Sequence, residues 1–265
     1  MKKLWQGIAK TLICMNDYDA MPMETPPTFD LSIVVPVYRN EETLETLAGR
    51  LTDTLKPLAV RFEIVFVNDA SPDRSQEVLC EIARKHTAVE IVELNENIGQ
   101  NRAVLTGLTR ASGRFALIMD ADLQDPPEAI PALWRTIQET GCAAVFARRR
   151  GKYESFPRRL SSYIFKTGLR LVCGIPRDAG LFVLIGRNMI KRLLAFDTQN
   201  PYVVAMIACT GLPTVSIPVP RAMREKGTSA YTLGKRLRVG WNAGKWVLAW
   251  KYDRLKNNRS ERFST

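Results

Sequence analysis

Residues 31–55 open with Leu31-Ser32-Ile33-Val34-Val35-Pro36-Val37, pass through Tyr38-Arg39-Asn40, and continue as a helical pattern over Glu41–Leu55. The first run is short, β-branched and almost continuously apolar, which predicts a strand covered on both faces; Asn40 is the expected cap of the helix that follows. This strand–helix unit repeats. Phe62–Asn68, Val89–Leu94, Phe115–Met119 and Ala143–Ala147 read as strands, and Arg74–Lys85, Arg102–Ala111 and Pro127–Thr140 as helices, the last with proline in its first turn. Apolar strands separated by helices indicate an α/β fold, a parallel sheet covered by helices on both faces. Beyond Gly151 the rhythm loosens: a helix is expected over Arg158–Val172, a strand over Leu181–Ile185, helices over Asn188–Ala195 and Tyr202–Thr210, and a strand over Thr214–Val219.

The ends differ from this core. Residues 1–30 carry Leu4, Trp5, Ile8, Leu12 and Ile13 at helical spacing beside Lys2, Lys3 and Lys10, followed by a Met/Pro linker. Residues 232–256 read as a long helix in which Trp241, Trp246, Trp250 and Tyr252 alternate with lysine and arginine, and 257–265 as a disordered polar tail. That leaves 31–231 as the expected main domain. Charge is divided in the same sense. Residues 1–140 hold 14 Lys+Arg against 21 Asp+Glu, and residues 141–265 hold 24 against 6, within a net charge of +11. An acidic half suits cations, and a basic, tryptophan-bearing half suits an anionic membrane surface. No unbroken apolar run reaches the ~18–20 residues needed to span a bilayer, so attachment is expected to be peripheral, on the cytoplasmic face. The five cysteines form no Cys-x-x-Cys pair, and the single histidine, His86, excludes histidine-based triads and metal sites. No nucleic-acid recognition module is present.

Ligands of parallel α/β sheets bind beyond the carboxyl ends of the strands. Three acidic groups fall there: Glu41 and Glu42 after the first strand, Asp69 after the second, and Asp120-Ala121-Asp122 after the fourth. Carboxylates gathered on one edge repel one another unless a cation or hydrogen-bond donors intervene. Asp120 and Asp122 can both reach Mg²⁺ or Mn²⁺ if the backbone between them turns, with phosphate oxygens completing the shell.

Four stretches carry a resemblance: Val34-Val35-Pro36-Val37-Tyr38-Arg39-Asn40-Glu41-Glu42, Val67-Asn68-Asp69-Ala70-Ser71-Pro72-Asp73, Asn97-Ile98-Gly99-Gln100-Asn101, and Asp120-Ala121-Asp122-Leu123-Gln124-Asp125. In this order they resemble the successive signatures of family 2 glycosyltransferases of the GT-A type, which implies a Rossmann-like mixed, mostly parallel sheet with helices on both faces. The continuation through Pro126-Pro127-Glu128 and the later Arg224-Glu225-Lys226-Gly227-Thr228-Ser229-Ala230-Tyr231 are similar to the dolichol-phosphate mannosyltransferase and bactoprenol glucosyltransferase branch. The resemblance implies that Pro36, Tyr38, Glu42 and Asp69 hold the nucleoside, that Asp120, Asp122 and Gln124 bind metal and diphosphate, that Arg224 and Ser229 close on the phosphates, and that Arg148 and Arg158 meet the acceptor. Asp178 is the candidate base, needed for a sugar hydroxyl but not for an ionised lipid phosphate. One departure is that the branch's Gly-Phe-Arg-Leu appears here as Ala179-Gly180-Leu181-Phe182-Val183-Leu184, without arginine.

The implied activity is inverting transfer of a sugar from a nucleotide donor, UDP-sugar above others, to polyprenyl phosphate at a membrane. A sugar hydroxyl of a glycan or lipid-linked saccharide is the alternative acceptor, and a non-catalytic sugar-nucleotide sensor the alternative from another class.

Overall fold

The computed structural model describes residues 27–150, 179–220 and Gly244. Asp178, Arg158, Arg224 and Ser229 lie outside the described residues, as do 1–26, the helix expected over Arg158–Val172, and nearly all of 232–265. One sheet is built from β1 (Phe29–Val37), β2 (Phe62–Asn68), β3 (Val89–Glu93), β4 (Gly113–Ile118), β5 (Ala144–Arg150), β6 (Val183–Gly186) and β7 (Thr214–Pro220). Its order is β3-β2-β1-β4-β6-β5-β7. The helices are α1 (Leu44–Leu55), α2 (Ser75–Lys85), α3 (Gln100–Arg110), α4 (Ile130–Thr140), α5 (Arg187–Leu194) and α6 (Val203–Cys209). The mixed, mostly parallel sheet expected from the sequence is the one that forms. Only β6 runs against its neighbours, pairing antiparallel with both β4 and β5.

Alternation along the strands sorts the apolar side chains into two layers. Ile33, Val35, Phe66, Leu117, Val145 and Leu184 pack under α1, α2 and α4. Val34, Ile118, Phe146, Val183 and Ile185 pack under α3, α5 and α6. Both faces of the central strands are therefore buried, which is why those strands are mostly apolar. Gly107 lets α3 lie close on the second face: a Cβ there would sit 2.4 Å from Val34 Cγ1 and 2.9 Å from Val67 Cγ2.

Two local expectations are corrected. Asn40 does not cap α1, which starts three residues later than its pattern suggests. The Asn40 side-chain oxygen accepts the Tyr38 N–H (3.0 Å), its carbonyl accepts the Thr43 N–H (2.9 Å), and Thr43 stands at the N-cap. Pro127 begins a 3-10 turn, Pro127–Ala129, and the α-helix proper opens at Ile130 with Pro131 in its first turn, where a missing N–H breaks no helical bond.

The chain steps outward from β1 to β2 to β3, then crosses to β4 on the other side of β1. The order reverses between β1 and β4, the place where open α/β sheets form a crevice. Pro36 marks it. Val34 turns its carbonyl to β4, accepting the Met119 N–H (3.2 Å), while Val37 turns to β2, accepting the Asp69 N–H (2.9 Å). By the two-residue period Pro36 turns with Val34, toward a β4 whose pairing with β1 ends at Ile118. A proline in this central strand therefore removes no ladder bond, and the two strands part at their carboxyl ends.

Candidate functional site

The chain leaves β4 through buried Met119 into half-buried Asp120 and Asp122, with buried Ala121 between them. Neighbouring elements shape this turn. Thr43 Oγ1, at the start of α1, lies 2.7 Å from the Ala121 carbonyl and 3.1 Å from that of Asn40. Gln100 Nε2, at the start of α3, donates to Asp120 Oδ1 at 2.6 Å. The Gln124 N–H donates to Asp122 Oδ1 at 3.2 Å, across Leu123, which is held at φ 60°. Further on, Arg50 of α1 grips Glu128 with two parallel bonds of 2.8 and 2.7 Å, and this guanidinium holds the Glu128 carboxyl below its ordinary range.

Asp69 is buried at the end of β2. Its two carboxylate oxygens accept the N–H groups of Ile98 (2.7 Å) and Gly99 (3.0 Å), and its carbonyl accepts the Asn97 amide (3.1 Å). Gly99 adopts φ 90°, a conformation that favours glycine, directly before α3. The segment Asn97–Asn101 thus joins three places: Asp69 on one side, Asp120 through Gln100, and the first turn of α6 through Asn101 Oδ1, which accepts the Val203 N–H (3.0 Å).

The loops after β1 and β2 are stitched together. Ser71 Oγ accepts the Arg39 N–H (2.7 Å), Ser75 Oγ that of Asn40 (3.2 Å), and Asp73 that of Glu41 (3.2 Å), while Glu41 accepts the Arg74 N–H in return (2.7 Å). Burial pushes the Asp73 carboxyl up, but bonds from Ser71, Ser75 and the Glu41 N–H outweigh it and leave the group below its usual value. Glu41 is therefore spent on the loop, whereas Glu42 is exposed at its rim. Tyr38 is half-buried, with the Arg39 guanidinium 5.4 Å from its ring centroid.

Arg39 (φ 59°), Ala70 (φ 48°) and Leu123 (φ 60°) each follow a different strand, and all three take a left-handed conformation that side chains disfavour. Such strain collects where a surrounding network over-determines the backbone. Here that network is the one just described.

Pro36, Tyr38, Glu42, Asp69, Asp120, Asp122 and Gln124 all lie at the carboxyl ends of β1, β2 and β4. Half-buried Arg148 lies on the same edge, in the part of β5 that runs on with β7 past its pairing with β6. The sequence reading missed Thr43 and gave Gln100, Asn97, Ser71 and Asp73 no role. The last four stand inside quoted motifs, but their partners are up to 32 residues away along the chain. Among the described residues no three His, Cys, Asp or Glu side chains gather into a cation cage. Asp120 and Asp122 offer hard carboxylate oxygens to part of a shell, which suits a divalent ion that arrives with phosphate oxygens.

The family described as glycosyl transferase family 2 matches residues 32–210. The uncharacterized glycosyltransferase YkcC of Bacillus subtilis is 33% identical over 214 residues, covering 78% of this chain and 65% of the relative. The undecaprenyl-phosphate 4-deoxy-4-formamido-L-arabinose transferase of Photorhabdus laumondii is 30% identical over 212 residues, covering 79% and 65%. The chain thus spans slightly less than two thirds of the length of these relatives. Glucosyl-3-phosphoglycerate synthase of Mycobacterium tuberculosis, solved with Mn²⁺, UDP and phosphoglyceric acid, shares the fold with a TM-score of 0.62 at 16% identity, over 84% of this chain and 79% of that one. With a matched region running from the first strand to the end of α6, and its motifs gathered on one edge of the sheet, this chain belongs to glycosyl transferase family 2.

Proposed function

We propose that this protein transfers a sugar from a nucleoside-diphosphate sugar, a UDP-sugar above others, to a polyprenyl phosphate, working peripherally at the cytoplasmic face of a membrane. The observation that carries the reading is the Asp120–Ala121–Asp122 turn at the switch point of the sheet, pinned by Thr43 from α1 and Gln100 from α3. A relative acting on undecaprenyl phosphate and a fold neighbour crystallised with UDP and Mn²⁺ support the choice of acceptor and donor.

In this reading Pro36, Tyr38, Glu42 and Asp69 form the nucleoside wall, Asp69 chiefly by holding Ile98 and Gly99 in place. Asp120, Asp122 and Gln124 hold Mg²⁺ or Mn²⁺ against the diphosphate. Bound there, the cation supplies positive charge to the departing diphosphate. Arg224 and Ser229 clamp the phosphates, and Arg148 and Arg158 receive the acceptor. An acceptor phosphate oxygen, already ionised near neutral pH, attacks the anomeric carbon. The carbon–oxygen bond to the diphosphate breaks with its electron pair on the leaving group, inverting the centre. No base is required, and Asp178 orients groups. Among the described residues no helix is long and apolar enough to cross a membrane. The excess of 24 Lys+Arg over 6 Asp+Glu in residues 141–265 suits anionic lipid instead.

The test crosses UDP- and GDP-sugars with short polyprenyl phosphates and soluble glycans, with Mn²⁺ or with EDTA, read by mass spectrometry. A sugar-phosphate-polyprenol mass that requires the metal is the expected result. Product only on a glycan hydroxyl would move the acceptor and make Asp178 the base. Binding of donor with neither transfer nor hydrolysis would make the protein a sensor.

A further inference from the structure

We propose that Gln100 is a positioning residue: its amide aims the Asp120 carboxylate and thereby sets how tightly the Asp120–Asp122 turn takes a divalent cation. This rests on the metal-diphosphate reading of that turn and adds to it a residue from another helix.

The bond is short, 2.6 Å from Gln100 Nε2 to Asp120 Oδ1. A glutamine side chain is long and rotamer-rich, so such a bond is worth little unless its base is fixed. Here the base is fixed from both sides. Immediately before Gln100, the Ile98 and Gly99 N–H groups are clamped by the Asp69 carboxylate at 2.7 and 3.0 Å. Immediately after it, Asn101 is tied to the Val203 N–H at 3.0 Å. Gln100 is also the first residue of α3, whose far half is seated on the sheet through Gly107.

The chemistry of the donor matters as much as its placement. A neutral amide occupies one lone pair of Oδ1 and fixes the plane of the carboxylate while leaving its full negative charge. A lysine or arginine in this place would fix the carboxylate equally well but would compete with the cation for that charge. Asp122 is oriented in a parallel way from within its own turn, by the Gln124 N–H. Each of the two carboxylates thus receives an uncharged N–H donor. Partners of this kind, one step removed from the ion, commonly change metal affinity or activity by 10- to 100-fold when removed.

The test uses the full chain and Mn²⁺ alone, with uptake followed by loss of the free-ion electron paramagnetic resonance signal, alongside thermal melting. Gln100→Ala and Gln100→Asn, the latter keeping the amide one methylene too short, should each weaken Mn²⁺ uptake about 10-fold. Both should melt within about 2 °C of the wild type, a shift of ~1 kcal/mol or less. Wild-type uptake in Gln100→Ala, with uptake lost in Asp120→Asn, overturns the positioning role and leaves the metal site standing. Unchanged uptake in Asp120→Asn, or none by the wild type, overturns the metal reading beneath it. Weakened uptake that comes with a fall in melting temperature and is restored in Gln100→Asn makes Gln100 a structural residue and overturns the proposal.

Discussion

Glu63 at one end of the sheet and the Asp120–Asp122 pair at the other are carboxylates treated in opposite ways. At the amino-terminal end Glu63 is 6% exposed and accepts from Ser32 Oγ (2.6 Å), the Ser112 N–H (2.7 Å) and Ser112 Oγ (3.0 Å). Ser32 Oγ in turn accepts the Gly113 N–H (2.8 Å), closing a network among β1, β2 and β4 that looks only at itself. At the carboxyl-terminal end Asp120 and Asp122 are half-buried, are held by loops in left-handed conformations, and stand where β1 and β4 part. A buried charge surrounded by its own donors is a fastener. A partly exposed charge held in place by donors behind it is a tool. The burial of the group and the direction of its partners separate the two, not the residue type.

The sharpest way to break this contrast is to neutralise one carboxylate at each end. Asp122→Asn should lower transfer on the order of 100- to 1,000-fold, as loss of an electrostatic group at a reacting centre does, with melting unchanged within about 2 °C. Steady-state turnover and a thermal melt on one preparation decide it, and an equal fall in both would erase the distinction. Glu63→Ala should do the reverse. It strands the buried Ser32 and Ser112 donors, at a cost of about 2–4 kcal/mol, so melting should drop by roughly 5–10 °C while turnover per folded molecule stays within about twofold.

The smallest effect is on acid stability at the carboxyl-terminal end. Glu128 is held below its ordinary value by Arg50, so its folded-state pKa lies under its unfolded one. The stability it contributes is complete above the unfolded value and is lost as pH falls through the folded one. With side-chain exposures of 29% and 56%, the pair contributes no more than about 1 kcal/mol after solvent screening. The urea midpoint should fall between pH 6 and pH 3, and Arg50→Ala should flatten part of that fall without changing the slope below pH 2. If the variant's profile overlays the wild type, the fork is not coupled to folding.

The strands were legible because each carries its own evidence. Phe62–Asn68, buried on both faces, can be read from composition alone and has those bounds in the structure. The Asp-x-Asp turn was legible for the same reason, since a strand ending in two carboxylates is a local pattern. The place of β6 was not. Val183–Gly186 is four residues long, and so short an apolar run states neither its neighbours nor its direction. Its antiparallel seat between β4 and β5 is set by the layers on either side, Leu184 facing one core and Val183 and Ile185 the other. Asn40 misled because its type favours a helix cap, and here a tighter turn with Tyr38 took the same oxygen. Glu63 gave no warning, because a single glutamate in an apolar strand looks the same whether solvent or two serines will satisfy it. The link from Gln100 to Asp120 spans 20 residues and two elements, and only the assembled sheet shows it.

The seat of β6 also fixes the order in which this sheet can be completed during synthesis. The chain makes β1 to β4 first, and these four can pair as one block with the apolar edge of β4 bare. β5 follows with no neighbour available, because both of its partners, β6 and β7, come later in the chain. Only when residues 183–186 leave the ribosome can the two halves of the sheet be joined, from the middle and not from an edge. Until then the nascent chain presents an open, hydrophobic strand at what will become the centre of the molecule, the kind of edge that chaperones cover and aggregates recruit.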